Sequence, residues 1–181
     1  MVYVTLRPFL PQLQPTFLKA LNDPNRIVRL KSGCALAKLL IMNPRFDSVI
    51  AEIHGYIKNA DVQIKETSLN ALRLGFNNVG SKLSEETKKS LLATLKTEAY
   101  LYSDEDDIRS VSAGALGSLA ANLTEQDFNA LFDDVLDLKK YSSLNWKYLH
   151  ANCMLVGITL QYGASRLVKY RHGSLTKKCI F

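Results

Sequence analysis

Residues 138–181 contain no acidic side chain, the first of several absences that narrow what this chain can be. None of the three cysteines forms a C-x-x-C pair, so neither a disulfide framework nor a zinc site is expected. A reducing compartment is the simpler setting. No apolar run approaches the ~20 residues that a membrane-spanning helix needs. Met1-Val2-Tyr3-Val4-Thr5 has no charged n-region and no long apolar h-region, so no signal peptide is expected. G-x-x-x-x-G-K and G-x-G-x-x-G are both missing, which removes the common nucleotide-cradling loops. No segment sustains period-two alternation with β-branched residues, so no sheet is expected. What remains is an ordinary globular balance, 47% hydrophobic and 22% charged, able to bury a core.

The positive pattern is a repeat. In Asp23-Pro24-Asn25-Arg26-Ile27-Val28-Arg29 turn residues lead into a helical stripe of Val28, Ala35, Leu36 and Leu39. An apolar residue followed by a base, with Ala-Leu seven and eight positions on, returns at Ile64-Lys65 with Ala71-Leu72 and at Ile108-Arg109 with Ala115-Leu116. A weaker copy is Trp146-Lys147 with Cys153-Met154. The starts are 36, 44 and 38 residues apart. A helical unit recurring at about 40 residues is the signature of a HEAT or armadillo solenoid. The expected fold is therefore all-α, a HEAT/armadillo-like α-α superhelix of about four antiparallel helix pairs. It occupies residues 1–165, with repeats at about 6–43, 46–80, 84–122 and 124–163, and a basic tail at 166–181 has no assigned structure.

Eight helices are expected. The first, residues 7–21, is striped by Phe9, Leu13, Phe17 and Leu21 and is kinked at, or begins near, Pro15. The second runs to about Met42, where Asn43-Pro44 stops it. The third is capped by Asp47 and carries Val49, Ile50, Ile53 and Ile57. The fourth, residues 62–79, carries Ile64, Leu69, Leu72 and Phe76 and ends at Gly80 in the usual glycine manner. Ser84 caps the fifth, with Glu85 and Glu86 at its positive end. An irregular link, residues 97–107, precedes the sixth, which is striped by Ile108, Val111, Leu116 and Leu119. Thr124 opens a capping-box-like seventh, and the eighth spans residues 144–162. Phe9, Leu10, Leu13 and Phe17 leave the start without a polar cap, so the chain reads as cut from a longer array.

Few residues suggest chemistry. Arg29, Lys65, Arg109 and Lys147 share one repeat position; they read as a ladder pairing with Asp23, Asp61 and Asp106, or else as a basic stripe that docks a partner. Asp104-Glu105-Asp106-Asp107 fails as an EF-hand loop, because the sixth and twelfth places are Arg109 and Ala115. The three histidines are dispersed, Cys34 and Cys153 read as small core residues, and Trp146 reads as a core anchor. No catalytic residue, metal or cofactor is expected. The net charge of +6 arises in residues 138–181, which hold eight bases; Lys139, Lys140, Lys177 and Lys178 there are candidate ribosome or RNA contacts.

Some residues go beyond a generic repeat. Leu6-Arg7-Pro8-Phe9-Leu10-Pro11-Gln12-Leu13-Gln14, Phe17-x-Lys19-Ala20-Leu21-x-Asp23 and Asn25-Arg26-x-Val28-Arg29-Leu30-Lys31 resemble the giant HEAT-repeat translational activators of general amino-acid control. Glu66-x-x-Leu69-x-Ala71-Leu72-Arg73, Asp104-Glu105-Asp106 with Arg109-x-x-Ser112-Ala113-Gly114, and Leu123-Thr124-Glu125 extend the resemblance, which runs from about Leu6 to about Leu167. It implies a fragment of the family's C-terminal region: a cytoplasmic, non-catalytic adaptor that holds the RWD domain of the general-control kinase and meets stalled ribosomes through the full-length protein. It implies no membrane and no small-molecule substrate. It also implies that basic side chains matter, and Arg7, Arg26, Arg29 and Arg73 stand at the matching positions. Pro15 and everything after Leu167 depart from the family pattern.

Overall fold

The computed structural model describes residues 6–59, 61–137 and 145–170, and its elements there are all helical. They are α1 (Leu10–Ala20), α2 (Arg26–Leu40), α3 (Phe46–Asn59), α4 (Val62–Val79), α5 (Glu85–Leu95), α6 (Asp106–Ala120), α7 (Glu125–Val135) and α8 (Trp146–Leu167). Single 3₁₀ turns occur at Arg7–Phe9, Gly80–Lys82 and Val168–Tyr170. The chain divides into two compact units, Met1–Leu91 and Leu92–Phe181.

In the first unit, Asn25 and Asp61 cap α2 and α4 by accepting from the backbone N–H of Ile27 and Ile64. Pro15 lies inside α1, which runs without a break. The proline sits one turn from the helix start, so only one backbone bond is lost. Helix α3 buries Val49, Ile50, Ile53 and Ile57 to 1% exposure or less, as its stripe predicts. Helices α2 and α4 pack side by side and run parallel. Arg26 pairs with Glu66 at 2.7 Å, Gly33 faces Ala71, and Asn78 Nδ2 donates to the Ala37 carbonyl at 2.8 Å. Helices α1 and α3 pack on α2 and α4 respectively. The inward face of α2 is Arg29, Ser32, Gly33, Leu36, Ala37, Leu39 and Leu40. Val28, expected on that stripe, is 38% exposed, because the register turns Arg29 inward instead. Gly80 keeps a right-handed φ of −54° and leads into a 3₁₀ turn rather than a left-handed cap. Asp47 is not the α3 cap: it lies in the first turn, and its Oδ1 accepts from Ser84 N (3.1 Å) and Ser84 Oγ (3.2 Å).

The second unit repeats the parallel arrangement with α6 and α8. Lys147 pairs with Asp104, Arg109 with His150, and Gly117 lies against Ile158. Thr124 caps α7 by accepting from Asp127 N at 3.1 Å. The link before α6 is more ordered than its sequence suggests: Leu101 is fully buried, and its N–H donates to the Leu95 carbonyl at 3.2 Å. Helix α8 buries Ala151, Asn152, Leu155 and Thr159, not the Cys153-Met154 pair that the repeat copy implies. Cys153 and Cys34 are accordingly exposed, not core residues. Trp146 is 63% exposed, not a core anchor; its ring is 5.0 Å from the Arg109 guanidinium carbon. The helix also outruns its expected end at Tyr162. It breaks at Gly163 (φ −145°, ψ 36°) and continues to Leu167. Arg166 secures this end by donating to the carbonyls of Ala120 (2.8 Å) and Thr124 (3.1 Å) over the Phe128 ring. Tyr170 donates to Asp133 at 2.9 Å; burial, then that acceptor, push its pKa up to about 12.

The expected base–acid ladder is met at Arg109–Asp106 and Lys147–Asp104, and the two arginines add something tighter. Arg29 and Arg109 are 2% and 1% exposed. Each Nη1 donates to two carbonyls of the preceding loop: Asp23 (2.8 Å) and Pro24 (3.0 Å) for Arg29, Ser103 (2.7 Å) and Asp104 (3.3 Å) for Arg109. Each guanidinium also reaches the next parallel helix, through Gln63 Oε1 (3.4 Å) or His150 Nδ1 (2.9 Å). Asp23 thus contributes its backbone, not its carboxylate, while Asp106 does pair with Arg109.

Three outcomes follow from this packing. Arg109→Met strands two buried carbonyls and should lower unfolding free energy by about 3 kcal/mol in urea melts. A Cβ on Gly117 would lie 2.6 Å from Ile158 Cγ2 and 2.9 Å from its Cβ, whereas nothing stands within 4 Å of one on Gly157. Gly117→Ala should therefore destabilise by about 1–3 kcal/mol. Gly157→Ala should raise stability by up to about 1 kcal/mol in the same assay. Burial, then Lys58 one turn on, push His54 below its ordinary 6.5. The folded chain therefore takes up this proton less readily than the unfolded one, and stability present above 6.5 is lost as pH falls below it. The urea midpoint should be lower at about pH 5.5 than at about pH 7.5, and His54→Gln should narrow that difference.

Candidate docking surface

Four arginines were expected to matter, and the structure does not gather them. Arg26 lies at the start of α2, its side chain 61% exposed and ion-paired with Glu66. Arg29 is interior and holds the α1–α2 turn. Arg73 is half-buried on α4, and its Nε meets no hydrogen-bond partner among the described residues. Arg7 stands at the other end of the α1–α2 pair, exposed, on the rim of an open cleft of about 810 Å³. Lys139, Lys140, Lys177 and Lys178 lie outside the described residues.

The cleft is assembled from three places in the chain. Helix α1 supplies Leu10, Pro11 and Gln14; the end of α2 and the α2–α3 turn supply Leu40, Ile41, Met42, Asn43, Pro44 and Arg45, leading to Phe46; the end of α4 and the turn after it supply Val79 and Lys82. Asn43-Pro44 ends α2, and the Asn43 side chain then locks the turn. Its Nδ2 donates to Gln14 Oε1 at 2.8 Å, and its Oδ1 accepts from Arg45 N at 2.9 Å. The Arg45 carbonyl accepts from Ser48 Oγ at 2.8 Å and so starts α3. The Asp47–Ser84 bonds pin the chain just after Lys82. The frame is therefore fixed by neutral hydrogen bonds and one carboxylate, while the charged groups lining the cleft are all cations: Arg7, Arg45 and Lys82, each exposed. None of the three is ion-paired among the described residues.

Sequence reasoning found Arg7 and missed Arg45, Lys82 and Ile41. No linear spacing joins three separate elements. The nearest signal was the Asn43-Pro44 stop, which marks where α2 leaves a hydrophobic residue uncovered; Ile41 is 61% exposed. Among the described residues no group of His, Cys, Asp or Glu could hold a metal ion, and neither Cys34 nor Cys153 is hydrogen-bonded to a histidine. No described helix is long and apolar enough to cross a membrane.

Comparison with known proteins agrees with the helical repeat. Residues 47–181 match the family described as stalled ribosome sensor GCN1-like, HEAT repeats. The chain is 37% identical over 174 residues, 96% of its length, to the mouse protein named stalled ribosome sensor GCN1, and 36% identical over 180 residues, 99% of its length, to the human one. It is 34% identical over 131 residues, 71% of its length, to the Saccharomyces cerevisiae eIF-2-alpha kinase activator GCN1. The matched stretch is a small part of each relative, 6%, 7% and 5% of its length in turn. With its all-helical build, parallel helices repeating at about 40 residues, and these matches, the chain belongs to the HEAT-repeat family of GCN1-like stalled ribosome sensors.

Proposed function

We propose that this chain is a non-catalytic scaffold segment in cytoplasmic translational control. In this reading it docks the RWD domain of the general-control kinase and links it, through the rest of its protein, to stalled ribosomes. The observation that carries the reading is the similarity, over 71–99% of the chain, to proteins named for ribosome sensing and kinase activation. The first unit supports it physically. Bases and uncovered apolar side chains share that surface, a combination suited to a protein partner. Arg7, Arg26 and Arg73 are the candidate contacts; Arg29 serves it indirectly, by holding the turn from which α2 begins.

A second reading is a solenoid spacer that meets ribosomal RNA through its acid-free end, favoured by the eight bases of residues 138–181. One experiment separates the two. The RWD domain should be retained by the immobilised chain, and Arg7→Glu with Arg26→Glu should reduce retention roughly tenfold by isothermal titration. Failure of a folded chain to bind the domain, together with salt-dependent RNA binding that vanishes when Lys139, Lys140, Lys177 and Lys178 are neutralised, would favour the spacer.

A further inference from the structure

We propose that the cleft between α1, the α2–α3 turn and the Gly80–Lys82 turn receives an acidic protein segment with apolar anchors. The inference rests on the docking reading above and supplies its site and the chemistry of the bound segment.

Charge comes first. Arg7, Arg45 and Lys82 ring the cleft, no carboxylate lines it, and none of the three is ion-paired among the described residues. This sets them apart from other bases of the chain. Arg26 is matched by Glu66, Lys88 by Glu85 and Lys147 by Asp104, and Arg29 is buried against carbonyls. Unmatched cations around one opening raise the local positive potential and favour a carboxylate-bearing partner. Between them the lining is aliphatic: Ile41 is exposed, Leu10 and Met42 are half-buried, and Leu40 and Val79 form the buried floor. Such a surface gains from burying side chains and offers little to a nucleotide. Phe46 is its one ring, where single-stranded nucleic acid needs several stacking faces. The volume, about 810 Å³, accepts several apolar side chains at once. The Asn43–Gln14 and Asp47–Ser84 bonds hold the frame in advance, so little ordering is needed on binding.

The test titrates the whole chain with four probes: the kinase RWD domain; a fluorescein-labelled helical peptide with leucines at i, i+3, i+4 and i+7 and glutamates elsewhere; its lysine twin; and a single-stranded RNA. Variants are Lys82→Glu, Arg45→Glu, Ile41→Asp and the off-cleft control Lys89→Glu. All four residues are exposed, and circular dichroism checks each fold. The acidic peptide should bind and the lysine twin should not. Each cleft variant should weaken binding roughly tenfold, and Lys89→Glu should not. Absence of acidic-peptide binding, or binding indifferent to the cleft variants, overturns the proposal. RNA binding lost in the same variants also overturns it, by assigning the cleft to nucleic acid. If the cleft variants also weaken the RWD domain, the two readings share this site. RWD binding that ignores the cleft variants overturns the shared site and leaves the docking reading standing. No RWD binding at all overturns that reading, and the peptide result alone then decides the cleft.

Discussion

The buried guanidinium is the interaction on which each unit's architecture depends. A helix pair must turn back on itself, and the turn leaves backbone carbonyls without helical partners. At Arg29 and at Arg109 one cation answers two such carbonyls and then extends to the next parallel helix. Turn closure and layer stacking are thereby combined in a single side chain. A hydrophobic residue of equal size would fill the space but leave the carbonyls without donors, so the position needs a long, always-charged, multiply donating group. Small residues complete the arrangement. Gly33 meets Ala71 at 3.1 Å from its would-be Cβ, and the same close approach recurs at Gly117. Those contacts let parallel helices come near enough for an arginine to span them.

Much of this was legible in the sequence because periodicity and repeat spacing are properties of residue order. The stripes of α3, α4 and α6 and the spans of all eight helices are close to what the pattern dictates. Where reading failed, it failed for one reason: a linear pattern does not say which side chain a charged residue points away from. Arg29 looks like a surface base and lies inside, which pushes Val28 outward. Cys153 and Trp146 were placed by analogy with earlier repeats, yet on α8 Ala151, Asn152, Leu155 and Thr159 take the inward positions. The order past Gly163 was invisible for a related reason, since Arg166 and Tyr170 are held by residues more than 35 positions earlier. The cleft is the least legible feature of all, being assembled from α1, the α2–α3 turn and the turn after α4.

The same residue type serves opposite ends. Inside, arginine donates to loop carbonyls and acts on the fold. At the cleft rim, Arg7 and Arg45 keep their hydrogen-bonding capacity for something external. A repeat protein can divide labour in this way because each unit holds an interior cation of its own, Arg29 in the first and Arg109 in the second. The surface is then free to vary without weakening the stack.

The two interior cations differ in what holds them. Arg29 rests on two peptide carbonyls and a glutamine amide, none of which gains or loses a proton in water. Arg109 rests partly on the lone pair of His150 Nδ1 and on the Asp106 carboxylate. A substitution at His150 or Asp106 therefore removes side-chain support from a buried cation, whereas all of Arg29's support except one long bond to Gln63 is backbone, which no substitution deletes.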